Sequence, residues 1–119
     1  LEQQARWLAQ HGGVRSSRYG DATPRLKQLS AALIGVQFQP AGPAAIRHAE
    51  CYARRESGMN VGAISPSDDH GLGQINRPSH PQFDYWRMNH DPAYSAWAMW
   101  VVSAHGTDWS PWRNGSRPC

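Results

Sequence analysis

The sequence predicts a mainly α fold, on three observations. Cap-plus-proline signatures stand at Thr23-Pro24 and Asp91-Pro92, and a third helix-opening proline stands at Pro43. Apolar residues follow each of them at helical spacing. No stretch alternates apolar and polar residues convincingly enough to compete as a strand. The chain has 119 residues, room for one domain and no second.

Along the chain, Leu1 to Gln10 is helix-compatible and ends at Gly12-Gly13, and His11 to Ala22 reads as a loop. Thr23 caps a helix in which Leu26, Leu29 and Leu33 share a face and which Gly35 is expected to stop. Pro40, Gly42 and Pro43 punctuate, and a helix runs from Pro43 to about Ser57. At about 100° per residue, Ala45, Ile46, Ala49, Tyr52, Ala53 and Glu56 fall on one side, with Arg47, His48, Cys51, Arg54 and Arg55 on the other. Gly58 to Pro66 reads as loop, and Ser67 to Asn76 as irregular with a short turn or strand. Pro78 to Trp86 has no clear assignment. From Asp91-Pro92, Tyr94, Trp97, Ala98 and Val101 form a helical stripe ending at Gly106, and a tail bearing Trp and Pro closes the sequence.

Composition narrows the function classes. Only 18% of residues are charged and six are Trp, which excludes a disordered tail or a coiled coil. No apolar run approaches the roughly 20 residues of a membrane span. The opening Leu1-Glu2-Gln3-Gln4 is polar and does not read as a signal peptide, and a first residue other than Met fits a processed or excised chain. Formal charge is +3, and eleven of the 12 basic residues are Arg. That balance suits any polyanion, whether nucleic acid, lipid headgroups or bacterial cell wall, and selects none. Two cysteines, Cys51 and Cys119, fit one disulfide or two thiols, and their number does not decide.

Two carboxyls stand out. Glu56 ends the apolar face of its helix, where desolvation is expected to keep it protonated, and Asp69 lies in a polar loop beside Asp68 and His70, where it is expected to stay ionised. Acids driven apart in this way suit glycoside cleavage: one protonates the leaving oxygen, the other faces the cationic sugar. The bland alternative is a helix-end glutamate and a solvated acidic loop.

The blocks Glu56-Ser57-Gly58-Met59-Asn60, Ser65-Pro66 and Gly71-Leu72-Gly73-Gln74-Ile75-Asn76 resemble, in order and spacing, the signature of soluble lytic transglycosylases and goose-type lysozymes. The resemblance spans about residues 43 to 112; its later part, through Trp109-Ser110-Pro111-Trp112, is similar to phage and actinobacterial members. It implies a lysozyme-like fold, helical with a small irregular or β-like segment beside an active-site cleft. The expected organisation is a single domain over 1–119, with a helical prelude over 1–42 and a catalytic core over 43–119. The implied activity is cleavage of the β-1,4 bond between N-acetylmuramic acid and N-acetylglucosamine in peptidoglycan, with no cofactor. Glu56 holds the position of the family's catalytic acid, Ser65 and Gln74 match positions lining its sugar cleft, and Asn76 is a further cleft candidate.

Two departures bear on mechanism. Asp69 stands two residues before Gly71, where animal-type lysozymes carry a second acid, and this tilts the expected outcome toward hydrolysis over formation of an anhydro-sugar. The Ala-Tyr-Asn-x-Gly block of many transglycosylases is absent, and the segment Trp109 to Trp112 ends the cleft instead. In animal-type lysozymes a cysteine at the offset of Cys51 is bridged to one near the C-terminus, so the resemblance implies a Cys51–Cys119 disulfide and a location outside the cytoplasm. Residence in a phage virion, a bacterium or a secretion apparatus is left open. The alternative function is a catalytically inactive wall-binding or virion structural domain.

Other readings rank lower. The six histidines form no zinc-type pair, so no metal is expected, and His70 is expected at the cleft edge. Cys51 lacks the context of a peptidase nucleophile. Trp97 is expected in the core, whereas Trp109 and Trp112 are candidates for stacking on sugar. Arg47, Arg54 and Arg55 come without a groove-reading motif, so no nucleic-acid partner is expected.

Overall fold

The computed structural model describes residues 22–113 and Cys119. The helix expected over Leu1–Gln10 and the loop over 11–21 lie outside the described residues. Four α-helices and a two-stranded sheet make up the described fold: α1 (Pro24–Phe38), α2 (Pro43–Ser57), β1 (Asp69–His70), β2 (Ile75–Asn76), α3 (Tyr85–His90) and α4 (Pro92–Val102). Short 3-10 turns at Gln39–Ala41 and Ser110–Trp112 complete the order.

Helix starts follow local chemistry. Thr23 Oγ1 accepts from the Leu26 amide at 3.2 Å, and Asp91 accepts from Ala93 and Tyr94, each cap followed by proline at the first helical position. Helix α3 starts at the end of the unassigned stretch and runs on to His90; Asp84 caps the amides of Trp86 and Arg87. Six residues are too few to print a periodic pattern.

Helix ends and faces are set by what packs against them, and here three expectations need correcting. Gly35 does not stop α1, which continues to Phe38; its buried residues are Ser30, Ile34 and Phe38, and Leu29 faces outward. In α4 the buried residues are Ser95, Ala96, Ala98 and Met99, because small side chains let α1 and α3 approach closely. Trp97 stands 42% exposed instead of entering the core. In α2 the expected face holds in the main: Ala45, Ala49, Tyr52 and Ala53 are buried.

An aromatic cluster anchors the core. Phe38 meets Trp100 edge-on at 5.4 Å and Trp109 at 5.6 Å, while Tyr52 stacks on Trp109 at 5.5 Å. Cys51 of α2 is disulfide-bonded to Cys119, and the Cys119 amide donates to Tyr52 Oη at 3.3 Å.

Between α2 and β1 the chain is irregular yet buried from Met59 to Ser65. Buried peptide groups need partners, and side chains supply them. Asn89 Nδ2 donates to Val61 O and Ala63 O at 3.1 Å each, and the Gly71 amide also reaches Ala63 O. Leu72 is held through both of its backbone polar groups: its N–H donates to Ser95 Oγ and its carbonyl accepts from Ser57 Oγ, both at 2.9 Å. Gly71 makes this approach feasible. It sits at φ +78, and a Cβ there would lie 2.5 Å from Ser95 Oγ and 2.8 Å from Met88 O. Gly71→Ala is expected to destabilise the fold by about 2 kcal/mol or more, read as a lower urea midpoint at unchanged slope.

Candidate active site

Helix α2 ends where Gly58 turns left-handed (φ 63) and returns its amide to Arg54 O. Glu56 therefore sits on the last helical turn, where it lines a cleft of about 460 Å³. Lining that cleft are Glu56, Asp69, Gly73, Gln74, Ile75, Asn76, Ser79, His80, Val102, Pro111 and Trp112. The structure thus brings Glu56, Asp69, Gln74, Asn76 and Trp112 together. It does not bring Ser65 or Trp109 to the same surface.

Ser65 works from behind. Its hydroxyl donates to Asp69 Oδ2 at 2.6 Å, and the Asp69 amide donates back to Ser65 Oγ at 3.1 Å. The sheet register pairs Asp69 with Asn76, which places their side chains on one face, and Asn76 Nδ2 donates to Asp69 Oδ1 at 3.0 Å. Both carboxylate oxygens are therefore gripped, and one rotamer is fixed. Asn76 is in turn held by Ser79, whose amide and hydroxyl donate to its Oδ1 at 3.0 and 2.8 Å.

Gln74 occupies the left-handed region at φ 50, an uncommon conformation for a residue other than glycine. Its Nε2 donates to Ala63 O and Gly71 O at 3.0 Å each, so both amide hydrogens are spent on backbone. What Gln74 offers a ligand is an acceptor, its Oε1.

Trp109 is not a sugar platform: 5% exposed, it is packed among Phe38, His48 and Tyr52. Trp112 does line the cleft, but its ring is also buried, and its indole N–H donates to Gly73 O at 2.8 Å. It serves as wall. A Cβ on Gly73 would lie 2.7 Å from Met99 Cγ, so a larger residue there would have to displace the buried Met99 side chain.

His70 is fully buried and absent from the cleft edge where it was expected. Asn89 Oδ1 lies 2.7 Å from His70 Nδ1, and because Asn89 spends its amide hydrogens elsewhere, Nδ1 must carry the proton of that bond. Nε2 faces Asp68 Oδ1 at 2.5 Å, and Arg77 Nε donates to Asp68 Oδ2 at 2.8 Å. Burial works against ionisation of Asp68, but the hydrogen bonds and charges of His70 and Arg77 outweigh it and hold the carboxyl below its usual 3.8. Burial, with Asp68 and Tyr94 adding, pushes the Tyr85 phenol up to about 12; it stays neutral and donates to His80 O at 2.6 Å, supporting the cleft floor.

The Asp68 ionisation has a stability consequence. A carboxyl whose folded value is depressed stabilises the fold above its unfolded value and loses that contribution as pH falls through the folded one. Wild type should exceed Asp68→Asn in stability at pH 7, and the gap should close as pH drops below 3.8. Urea unfolding at pH 7, 5, 4 and 3 checks this; a gap constant across the series would show that ionisation of Asp68 contributes nothing.

Sequence reasoning missed Arg55. Helical spacing puts it on the side opposite Glu56, whereas its Nε donates to Glu56 Oε2 at 3.2 Å and its Nη2 to Trp112 O at 2.5 Å. The signal was present in adjacency: a long side chain next to a helix-end acid can fold back along the axis.

A family model described as a lysozyme-like domain matches residues 36–114. No curated protein and no solved structure gives a significant match.

Proposed function

This chain belongs to the lysozyme-like domain family, and from that membership and its cleft we propose that it cuts the β-1,4 bond between N-acetylmuramic acid and N-acetylglucosamine in peptidoglycan. The observation that carries the reading is the meeting of Glu56 and Asp69, from a helix end and a hairpin 13 positions apart in sequence, on the wall of one cleft.

Glu56 protonates the glycosidic oxygen as the bond to the sugar's anomeric carbon breaks. The positive charge that develops on the sugar faces Asp69, which Ser65 and Asn76 hold in one orientation. Preorganised charge of this kind acts without reorganisation at the moment of reaction. Glu56, now a carboxylate, then takes a proton from the acceptor that attacks the anomeric carbon, returning the acid to its starting state. A second acid at Asp69, in the position where animal-type lysozymes carry theirs, favours water as the acceptor, which makes the proposed enzyme a muramidase. In the competing outcome the muramyl 6-hydroxyl attacks and an anhydro-sugar forms.

No described helix is long and apolar enough to cross a membrane. The disulfide and the wall substrate together support action outside the cytoplasm.

Mass spectrometry of digested muropeptides tests the reading. Reducing ends one water heavier than the anhydro form are expected. Anhydro ends would reassign the acceptor, and wall binding without any sugar release would make the protein a binding domain instead.

A further inference from the structure

Resting on the glycosidase reading of the cleft, we propose that Arg55 is the positioning residue of Glu56 and couples the acid to the wall formed by Trp112. Neighbouring residues on a helix point about 100° apart and do not ordinarily meet. Among the described residues Arg55 overcomes this through contacts that use different parts of its planar group. Nε donates to Glu56 Oε2 at 3.2 Å, Nη2 donates to Trp112 O at 2.5 Å, and the guanidinium carbon lies 4.6 Å over the Tyr52 ring.

Every anchor is itself fixed. Tyr52 is fully buried, and Trp112 is buried and tied through its indole N–H to Gly73 O. A closed run of contacts therefore passes from the hairpin loop at Gly73 through Trp112 and Arg55 to Glu56. It sets the acid in register with the hairpin that carries Asp69 on β1 and Gln74 in its turn.

The chemistry needs that register. A general acid has to lie within hydrogen-bonding reach of the oxygen it protonates, and a displacement of about 1 Å can cost on the order of a hundredfold in rate. Once the proton has left, the carboxylate already faces a guanidinium, so no side chain has to move to receive its charge. Lysine offers a compact charge with rotatable donors in place of the rigid fork and the flat face, so it holds the carboxylate less firmly.

The test compares Arg55→Ala, Arg55→Lys and Arg55→Gln on solubilised, uncross-linked glycan strands, with Arg54→Ala as a charge control. Arg54 is the exposed neighbour that pairs with Glu50 at 3.6 Å. Arg55→Ala should lower kcat by roughly 30-fold with KM within about twofold, Arg55→Lys should fall between it and wild type, and Arg54→Ala should match wild type. On a Glu56→Gln background, Arg55→Ala should remove nothing more. Wild-type kinetics in Arg55→Ala, a rise in KM at unchanged kcat, or full additivity with Glu56→Gln would each overturn the proposal. Should wild type release no sugar at all, the glycosidase reading falls separately. Crystal structures of wild type and of Arg55→Gln then decide the positioning claim, supported by a displaced Glu56 carboxylate and overturned by an unmoved one.

Discussion

Replacing Glu56 with glutamine is expected to lower the rate of glycan cleavage by about a thousandfold, within the span typical of a lost general acid. Glutamine keeps the shape of the side chain and an oxygen that can accept from Arg55, so the loss is confined to the proton. Glu56 is 22% exposed at the end of α2 and carries none of the core, so the melting temperature should hardly change. Binding of intact cell walls should persist. The decisive measurement is the initial rate of reducing-end release from solubilised strands, with wall pull-down in parallel. An unchanged rate would remove Glu56 from the mechanism. Loss of binding together with rate would assign it to substrate recognition.

The second large effect concerns the cross-link. Cys51 and Cys119 are 68 positions apart, and releasing them restores to the unfolded chain an entropy equivalent to about 4 kcal/mol on the chain-entropy model. A domain of this size has roughly 5–15 kcal/mol in total. The double variant with serine at both positions, or the reduced protein, should therefore melt roughly 20 °C lower. Near-ultraviolet circular dichroism follows the change directly, because Trp109 and Tyr52 stack at 5.5 Å beside the bridge helix. A melting point within about 3 °C of the oxidised protein would show that the denatured chain is already constrained or that the native bridge is strained.

Much of this was legible because it is decided locally. A capping side chain followed by proline starts a helix whatever lies beyond it, and so Thr23-Pro24 and Asp91-Pro92 were readable. Glu56 was readable because helical periodicity and the surrounding block place it on the same spot. What the letters did not disclose depends on partners far along the chain. Leu29 and Ile34 are equally apolar, and the helices that pack on α1 decide that Ile34 is the buried one. The same holds for tryptophan: Trp97 stays outside because Ala96, Ala98 and Met99 already fill the contact, and Trp109 goes inside because Phe38 and Tyr52 leave it a slot. Ser65 matched a cleft position, yet its work on Asp69 follows from the hairpin register, which no composition reveals. Arg55 was hidden by the very rule that located Glu56, since adjacency on a helix assigns the two to different faces.

The buried stretch from Met59 to Ser65 carries a consequence for how such a chain can change over time. Surface connections usually accept insertions and deletions because water satisfies whatever peptide groups are added. Here Ala63 O already takes hydrogens from Gly71, Gln74 and Asn89, and one added residue would shift that carbonyl away from all three. A segment with neither helix nor strand is thus as intolerant of a change in length as the middle of a barrel. Descendants of this sequence can exchange its side chains far more readily than they can alter their number.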